Sequence, residues 1–232
     1  MSKNLVVDWC SYKAAKYAVL NWHYSKRMPG GKLNTIGVWE HGEFVGAVVF
    51  GVGANKNMHK EFSLQNNEVC ELVRVALREH EAPTTQIISR AMKLLKRHNP
   101  GLKLVLSYAD PNVGHVGFLY QALSWYFIGF SQSSFVYVDQ YGREYHARTL
   151  SPGKLKGRKL RLTYVKKLPK IKYAYAFDRK VRKELKKRAL PYIKSLDVVR
   201  GAAGAPGMPG LEVGSTPTPR YELVETPAGD RV

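Results

Sequence analysis

The chain has 232 residues, 44% of them hydrophobic, enough for one large domain with appendages and a full core. Its 37 Lys and Arg face 18 Asp and Glu, a net charge of +19, which costs self-repulsion unless a polyanion is the partner. No run of about 18 apolar residues suits a membrane span, Met1 to Asp8 lacks the apolar run of a signal peptide, and two cysteines make no disulfide framework. The expectation is a cytoplasmic protein with buried free thiols at Cys10 and Cys70. Nucleic acid is favoured over anionic lipid because no basic amphipathic anchor is present, and no obligate protein partner is evident.

Leu5 to Trp9 reads as a first strand. Ser11 is placed to cap a helix rich in Ala, Lys and Tyr that runs to about Asn21. After the Gly30-Gly31 loop, Thr35 to Glu40 and Glu43 to Gly51 form a hairpin around His41-Gly42. Val52 to Asn67 is polar and too long for a simple connector. Glu68 to Leu77 alternates as a strand. Pro83-Thr84-Thr85 opens an amphipathic helix, Gln86 to His98, with Ile87, Ile88, Ala91, Leu94 and Leu95 on one face, and Pro100-Gly101 stops it. Leu102 to Tyr108 is a buried strand, Ala109-Asp110-Pro111 breaks it, Val116 to Leu123 is a short helix, and Trp125 to Phe130 is another strand. The order β-α-β-β-β-α-β-α-β predicts an α+β fold with a mixed, mostly antiparallel sheet flanked by helices.

From Ser151 to Lys194 there are 17 Lys or Arg and two acids, Asp178 and Glu184, with Tyr164, Tyr173, Tyr175, Phe177 and Tyr192 interleaved. Leu160 to Val165 and Ile171 to Phe177 read as strands, and Asp178 to Ile193 as a basic helix. Phosphate contacts are expected from Lys166, Lys167, Lys170 and Lys172 on the first part. Arg179, Lys180, Arg182, Lys183, Lys186 and Lys187 supply them on the helix. Gly201 to Val232 has the Gly/Pro/Ala composition of a disordered tail. The expected division is a catalytic domain over 1–150, a basic DNA-binding extension completing it over 151–200, and the tail over 201–232.

Several segments, in this order, resemble the Mom family of phage DNA-modification proteins. They are Asn21-Trp22-His23-Tyr24-Ser25, the hairpin Ile36-Gly37-Val38-Trp39 to Phe50-Gly51, and Glu71-Leu72-Val73-Arg74-Val75-Ala76-Leu77. Next come Ser107-Tyr108-Ala109-Asp110-Pro111, Gly114-His115-Val116-Gly117 and Leu119-Tyr120-Gln121-Ala122. The resemblance spans about residues 4 to 150. It implies a GNAT-like acyltransferase fold with the next strand splaying from a central one. It also implies an acyl-CoA-like donor, double-stranded DNA as acceptor, and a methylcarbamoyl (carbamoylmethyl-type) group placed on adenine N6 to shield phage DNA from restriction. Iron is a further implied cofactor, with His23, Tyr24 and Asp110 as its N/O ligands. Two rival readings stand beside it: a GNAT N-acetyltransferase acting on protein or a small amine, and a non-catalytic basic module with a degenerate acyltransferase fold.

Adenine N6 is a weak nucleophile and is base-paired in a duplex, so the chemistry calls for acid–base groups beside aromatic rings that hold a flipped base. Trp22, His23, Tyr24 and Ser25 fit that need just after the first helix, with Trp22 as core and His23 as a capping residue the plainer alternative. Asp110 ends a buried strand before Pro111 and reads as a cleft carboxylate or an Asx-turn cap. Arg74, inside an apolar strand, is expected to face opposite to Val73 and Val75. There it either pairs with Glu71 or Glu68 or polarises a carbonyl. Tyr120 resembles the GNAT tyrosine that protonates a leaving group, while Ser107 and His115 are expected to assist. One departure is plain: where a GNAT carries a Gly-rich pyrophosphate loop, this chain reads Leu77-Arg78-Glu79-His80-Glu81-Ala82-Pro83-Thr84-Thr85. That puts ordinary coenzyme A binding in doubt, although Thr84 and Thr85 can still cap the helix for a phosphate.

Overall fold

The computed structural model describes residues 4–53, 55, 57–145 and 161–199 and the short strand Tyr221–Glu222. The chain divides into two compact units. The first comprises Met1–Ala109, Val116–Gly129 and Ile171–Lys194; the second comprises Asp110–His115, Phe130–Lys170 and Ser195–Val232. This is not a cut at residue 150, because Ile171–Ala176 returns into the main sheet. Of the expected tail, 201–220 and 223–232 lie outside the described residues, as do the basic residues 154–160.

In the first unit the strands are β1 (Leu5–Trp9), β2 (Leu33–Glu40), β3 (Glu43–Gly51), β4 (Val69–Leu77), β5 (Leu104–Ala109), β6 (Tyr126–Phe130) and β10 (Ile171–Ala176). They form one sheet in the order β1-β2-β3-β4-β5-β10-β6. Every pairing from β1 to β4, and β5 with β10, is antiparallel, while β4 and β5 run parallel. The fold is therefore α+β with a mixed, mostly antiparallel sheet, as the element order implies. The β2–β3 turn works because His41 and Gly42 both adopt positive φ, 52° and 84°, as a two-residue hairpin turn matched to strand twist requires.

Helix α1 (Tyr12–Trp22) starts where the Ser11 hydroxyl accepts the Ala14 N–H at 3.2 Å. It buries Ala15, Ala18 and Val19 against Ala47, Val49 and Ala76 of β3 and β4. Its small residues let helix and sheet approach closely. Helix α2 (Thr84–His98) buries Ile87, Ile88, Ala91, Met92 and Leu95, the spacing of one helical face. Helix α4 (Arg179–Arg188) is capped by Asp178, whose carboxylate accepts from the N–H groups of Lys180 and Val181. Its Val181 and Leu185 join Leu104, Leu106, Ala174 and Ala176 in a second core cluster. It ends at Arg188 instead of Ile193 because Pro191 disfavours helical geometry just before it.

The second unit carries a four-stranded sheet, in the order β11-β9-β7-β8. Its members are β7 (Phe135–Asp139), β8 (Glu144–Tyr145), β9 (Arg161–Lys166) and β11 (Tyr221–Glu222). The β7–β8 turn is organised by Asp139, which is buried and accepts from the N–H groups of Tyr141 and Arg143 and from the Tyr145 hydroxyl, each at 2.9 Å.

Candidate active site

The parallel pairing of β4 with β5 lasts only three residues, Val69↔Leu104 to Glu71↔Leu106. Beyond it β5 continues beside β10, with Ser107 opposite Tyr173, and β4 continues beside β3. The two central strands thus part company at Leu72 and Ser107. At that point the Ser107 side chain, 1% exposed, lies 2.8 Å from the Leu72 carbonyl oxygen and 2.7 Å from the Tyr120 hydroxyl. A carbonyl can only accept, so the single Ser107 proton goes to Leu72 and the Tyr120 O–H donates to Ser107.

Tyr120 stands on α3 (Phe118–Ala122). Its ring stacks on Tyr173 at 5.1 Å and 30° and leans on Trp125 at 5.2 Å. Gly117, at φ 91°, makes this possible: a Cβ there would fall 2.2 Å from the Tyr173 ring. Burial raises the Tyr120 pKa to about 12, against the lowering effect of the Ser107 contact and with a small further rise from Tyr24 and Glu71. The phenol therefore keeps its proton across the physiological range, which suits a group that donates to a developing negative charge.

Arg74 enters from β4. Register places Val49 opposite Arg74 and Phe50 opposite Leu72, so Val73 is an extra, bulged residue. The bulge breaks the strand alternation. Val73 packs with the α1 cluster, and Arg74 donates from Nε to the Arg27 carbonyl (3.1 Å) and from Nη1 to the Val73 carbonyl (2.6 Å). The expectation that Arg74 faces opposite to Val73 is corrected by this one-residue insertion. Glu68 is held by Lys103 at 2.6 Å, whereas Glu71 and Tyr24 act electrostatically on the guanidinium. Burial lowers the Arg74 pKa from its ordinary value. Glu71 itself is seated against Gly53, where a Cβ would fall 1.9 Å from its carboxylate oxygen.

His23 follows α1 as its C-cap and is 8% exposed. Its Nδ1 accepts the Ser25 N–H at 3.0 Å and lies 2.8 Å from the Ser25 hydroxyl. In the neutral ring the proton then sits on Nε2, which makes His23 a donor at that atom. Tyr24, half exposed, lies over the His23 ring at 4.3 Å and 30°. Trp22 takes the packing alternative, edge-on to Tyr17 at 5.4 Å and against Phe44 at 5.9 Å.

The iron expectation does not fit this histidine. A metal ligand needs an open lone pair on neutral imidazole, and the Nδ1 lone pair is committed to Ser25. Among the described residues no group of three or more His, Cys, Asp or Glu could hold a metal ion.

Asp110 and His115 fall in the second unit. There the Asp110 Oδ1 accepts from the Asn112 N–H (3.0 Å) and its side-chain amide (2.8 Å), capping the turn Pro111–Val113, and Lys170 lies 3.6 Å from Oδ2. This is the Asx-turn alternative. His115 is exposed and donates its N–H to the Asp110 carbonyl at 3.1 Å.

Among the expected phosphate contacts Lys172 is corrected: it is 8% exposed and paired with Glu61. Lys167 is paired with Glu144 and Lys187 with Glu184, and Arg182 donates to the Ala176 carbonyl. On α4, Lys180, Lys183 and Lys186 are exposed at three-residue spacing, one stripe of the helix.

Sequence reasoning missed Glu40. Buried at the end of β2, it accepts the N–H groups of Glu81 and Ala82, both at 2.7 Å. These amides stand where a Gly-rich loop would offer itself to a diphosphate, so an internal carboxylate already fills the place of the anion. Beside them an open groove of about 750 Å³ is lined by Glu81, Ala82, Thr85, Gln86 and Ser89 and by Ala122 and Leu123 after the α3 tyrosine, with no Lys or Arg. A carboxylate 41 residues away leaves no local signal in a sequence.

The family model described as the Mom protein family matches residues 4–194. The chain belongs to the Mom family. It is 30% identical over 162 residues to the methylcarbamoylase Mom of Escherichia phage Mu, a match covering 68% of this chain and 66% of that protein's length. Among solved structures it is similar to the aminoglycoside 6'-N-acetyltransferase from Enterococcus faecium, at 11% identity and TM-score 0.42, over 74% of this chain and 96% of that one. YncA of Salmonella typhimurium, solved with its cofactor acetyl-CoA, gives 11% identity and TM-score 0.42, over 76% and 96%. Such distant backbone likeness says nothing about substrate. The Mom-family match reaches past residue 150, through β10 and α4, and so includes both units. Among the described residues no helix is long and apolar enough to cross a membrane.

Proposed function

We propose that this Mom-family chain transfers a methylcarbamoyl group from an activated donor to N6 of adenine in double-stranded DNA, protecting phage DNA from restriction. The observation that carries the reading is the family match over residues 4–194, together with the similarity to a methylcarbamoylase. In the reaction N6 attacks the electrophilic carbon of the donor. The N6–C bond forms, the bond to the leaving group breaks with its electron pair, and N6 loses a proton. The protonated Tyr120 and the Nε2–H of His23 supply donors for negative charge developing on the donor. The exposed Tyr24 ring is suited to stack on an extruded base. The net charge of +19 and the Lys180, Lys183 and Lys186 stripe support DNA as the acceptor.

The test is mass spectrometry of nucleosides from DNA of cells expressing the protein. A deoxyadenosine derivative carrying the added group is expected. Unmodified deoxyadenosine beside a well-folded, expressed protein would refute the reaction.

A further inference from the structure

We propose that the small sheet of the second unit is a stacking platform for unpaired bases of a DNA strand. Register puts Phe135 opposite Lys166, and Tyr137 opposite both Tyr164 on β9 and Tyr145 on β8. Directly opposed residues share a face, so one face of this sheet carries four aromatic rings and a lysine. Phe135 and Tyr164 are 39% and 37% exposed, although apolar rings of this size are usually covered. They lie nearly parallel, 8° apart with centroids at 4.6 Å, and Tyr137 leans on Tyr164 at 5.4 Å. At the hairpin tip Tyr141 is 71% exposed with the Arg143 guanidinium 5.8 Å from its ring centre.

The charge around these rings names the occupant. Residues 151–170 contain eight Lys or Arg and no acid. Within the sheet Lys167 is matched by Glu144 and Lys170 by Asp110. The excess cations therefore come from Arg161, Lys166 and the stretch before them. Aromatic rings exposed beside unbalanced cations are the elements that bind a single strand: cations track the backbone and rings stack on bases without regard to sequence. A fully paired duplex hides its base faces, so this surface selects a strand whose bases are open. The inference rests on the proposed reading in one respect only, that modifying N6 in duplex DNA requires an opened base pair to supply such a strand.

The experiment uses the full chain and three fluorescent probes: a mixed-sequence single strand, the intact duplex, and the same duplex with a central unpaired bubble. F135V/Y164V keeps β-branched residues on the strands and removes the stacking faces. We expect affinity for the single strand and the bubble to fall about tenfold or more, the loss of at least one stacked base, with intact-duplex affinity within twofold. Equal loss on all three probes, or none on any, overturns the platform. Should the variant unfold, wild-type protein photocrosslinked to a 5-iodouracil strand decides the matter: crosslinks at Phe135, Tyr137 or Tyr164 are expected, and crosslinks confined to other segments overturn it. A failed nucleoside digest would refute the adenine reaction and leave these affinities as measured.

Discussion

Removing the Glu40 carboxylate tests whether the loop before α2 is an anion site closed from within. Glu40 is 5% exposed and accepts two amide hydrogens at 2.7 Å. A hydrogen bond to a charged group contributes about 1.5–3 kcal/mol, so Glu40→Ala is expected to lose about 3 kcal/mol or somewhat more. For a chain of this length that is roughly 6–12 °C in melting temperature. Glu40→Gln keeps an acceptor but no charge and should lose about half as much. Burial alone would raise the carboxyl pKa. The Glu81 and Ala82 amides, with His80 and His41 adding to them, more than offset it and hold the value below its ordinary 4.5. A group whose folded pKa is depressed contributes stability above its unfolded pKa and loses it as pH falls through the folded value. The gap between wild type and Glu40→Gln should therefore be full at pH 7 and narrow below about pH 4.5. The assay is urea or thermal unfolding from pH 7 to pH 3, repeated with inorganic pyrophosphate. Pyrophosphate should stabilise Glu40→Ala, whose two amides are vacated, and leave wild type unchanged. A Glu40→Ala protein as stable as wild type, or a wild type stabilised by pyrophosphate as much as the variant, would refute the self-filled site.

Tyr120→Phe removes the proton donated to Ser107. Modification yield should drop about 10²-fold for a stability loss of only about 1 kcal/mol, and full yield from the variant would exclude Tyr120 from the chemistry. Because the Tyr120 pKa is raised to about 12, the wild-type pH profile should show no loss from this phenol up to pH 10. Asp110→Asn keeps the acceptor of the Asx turn while removing the charge. If the carboxylate serves catalysis, this variant is stable and inactive, and if Asp110 is only a cap it matches wild type while Asp110→Ala melts earlier. Replacing Lys180, Lys183 and Lys186 together by Gln should flatten the slope of log K against log salt for duplex binding by about 2–3, one phosphate contact per lysine. Lys172→Gln should leave the slope alone but destabilise the fold, because its buried partner Glu61 is left uncompensated.

The elements that were legible in the sequence are those whose causes are local. Ser11 and Asp178 cap α1 and α4 with their own side chains, His41-Gly42 makes a tight turn, and the apolar period of α2 holds across the whole helix. Pairings decided by distant neighbours were not legible. The Val73 bulge exists only because β3 sets the register of β4, and it redirects Arg74. Strand β10 lies between β5 and β6 in the sheet, which takes Lys172 out of a basic run and buries it beside Glu61. β7 and β8 went unseen because five- and two-residue strands after the polar run Ser131-Gln132-Ser133-Ser134 give too short an alternation. Of the candidate site, Ser107, Tyr120 and Arg74 were found as unusual residues in apolar surroundings. The Ser107–Leu72 contact that marks the parting of the strands depends on tertiary geometry.

The distribution of charge along this fold has a kinetic consequence. The groups gathered where β4 and β5 part are a serine, tyrosines, a single arginine and Glu71, so the chemistry there works through fixed hydrogen-bond donors and little net charge. The cation-rich stretch 151–170 belongs instead to a segment placed in the chain between β6 and β10, which are neighbours in the sheet. A chain that leaves a sheet at one strand and re-enters at the adjacent one can carry an insertion without disturbing the sheet's hydrogen bonding. Binding energy for the polyanion and stabilisation of the transition state are then supplied by different residues. Interactions equal in ground and transition states change KM, whereas those made only in the transition state change kcat. Cation substitutions in this Mom-family protein are thus expected to raise KM for DNA and make it salt-sensitive at nearly constant kcat. Tyr120→Phe is expected to lower kcat at nearly constant KM. A cation variant that lowered kcat under saturating DNA would show that the two functions are not separable in this way.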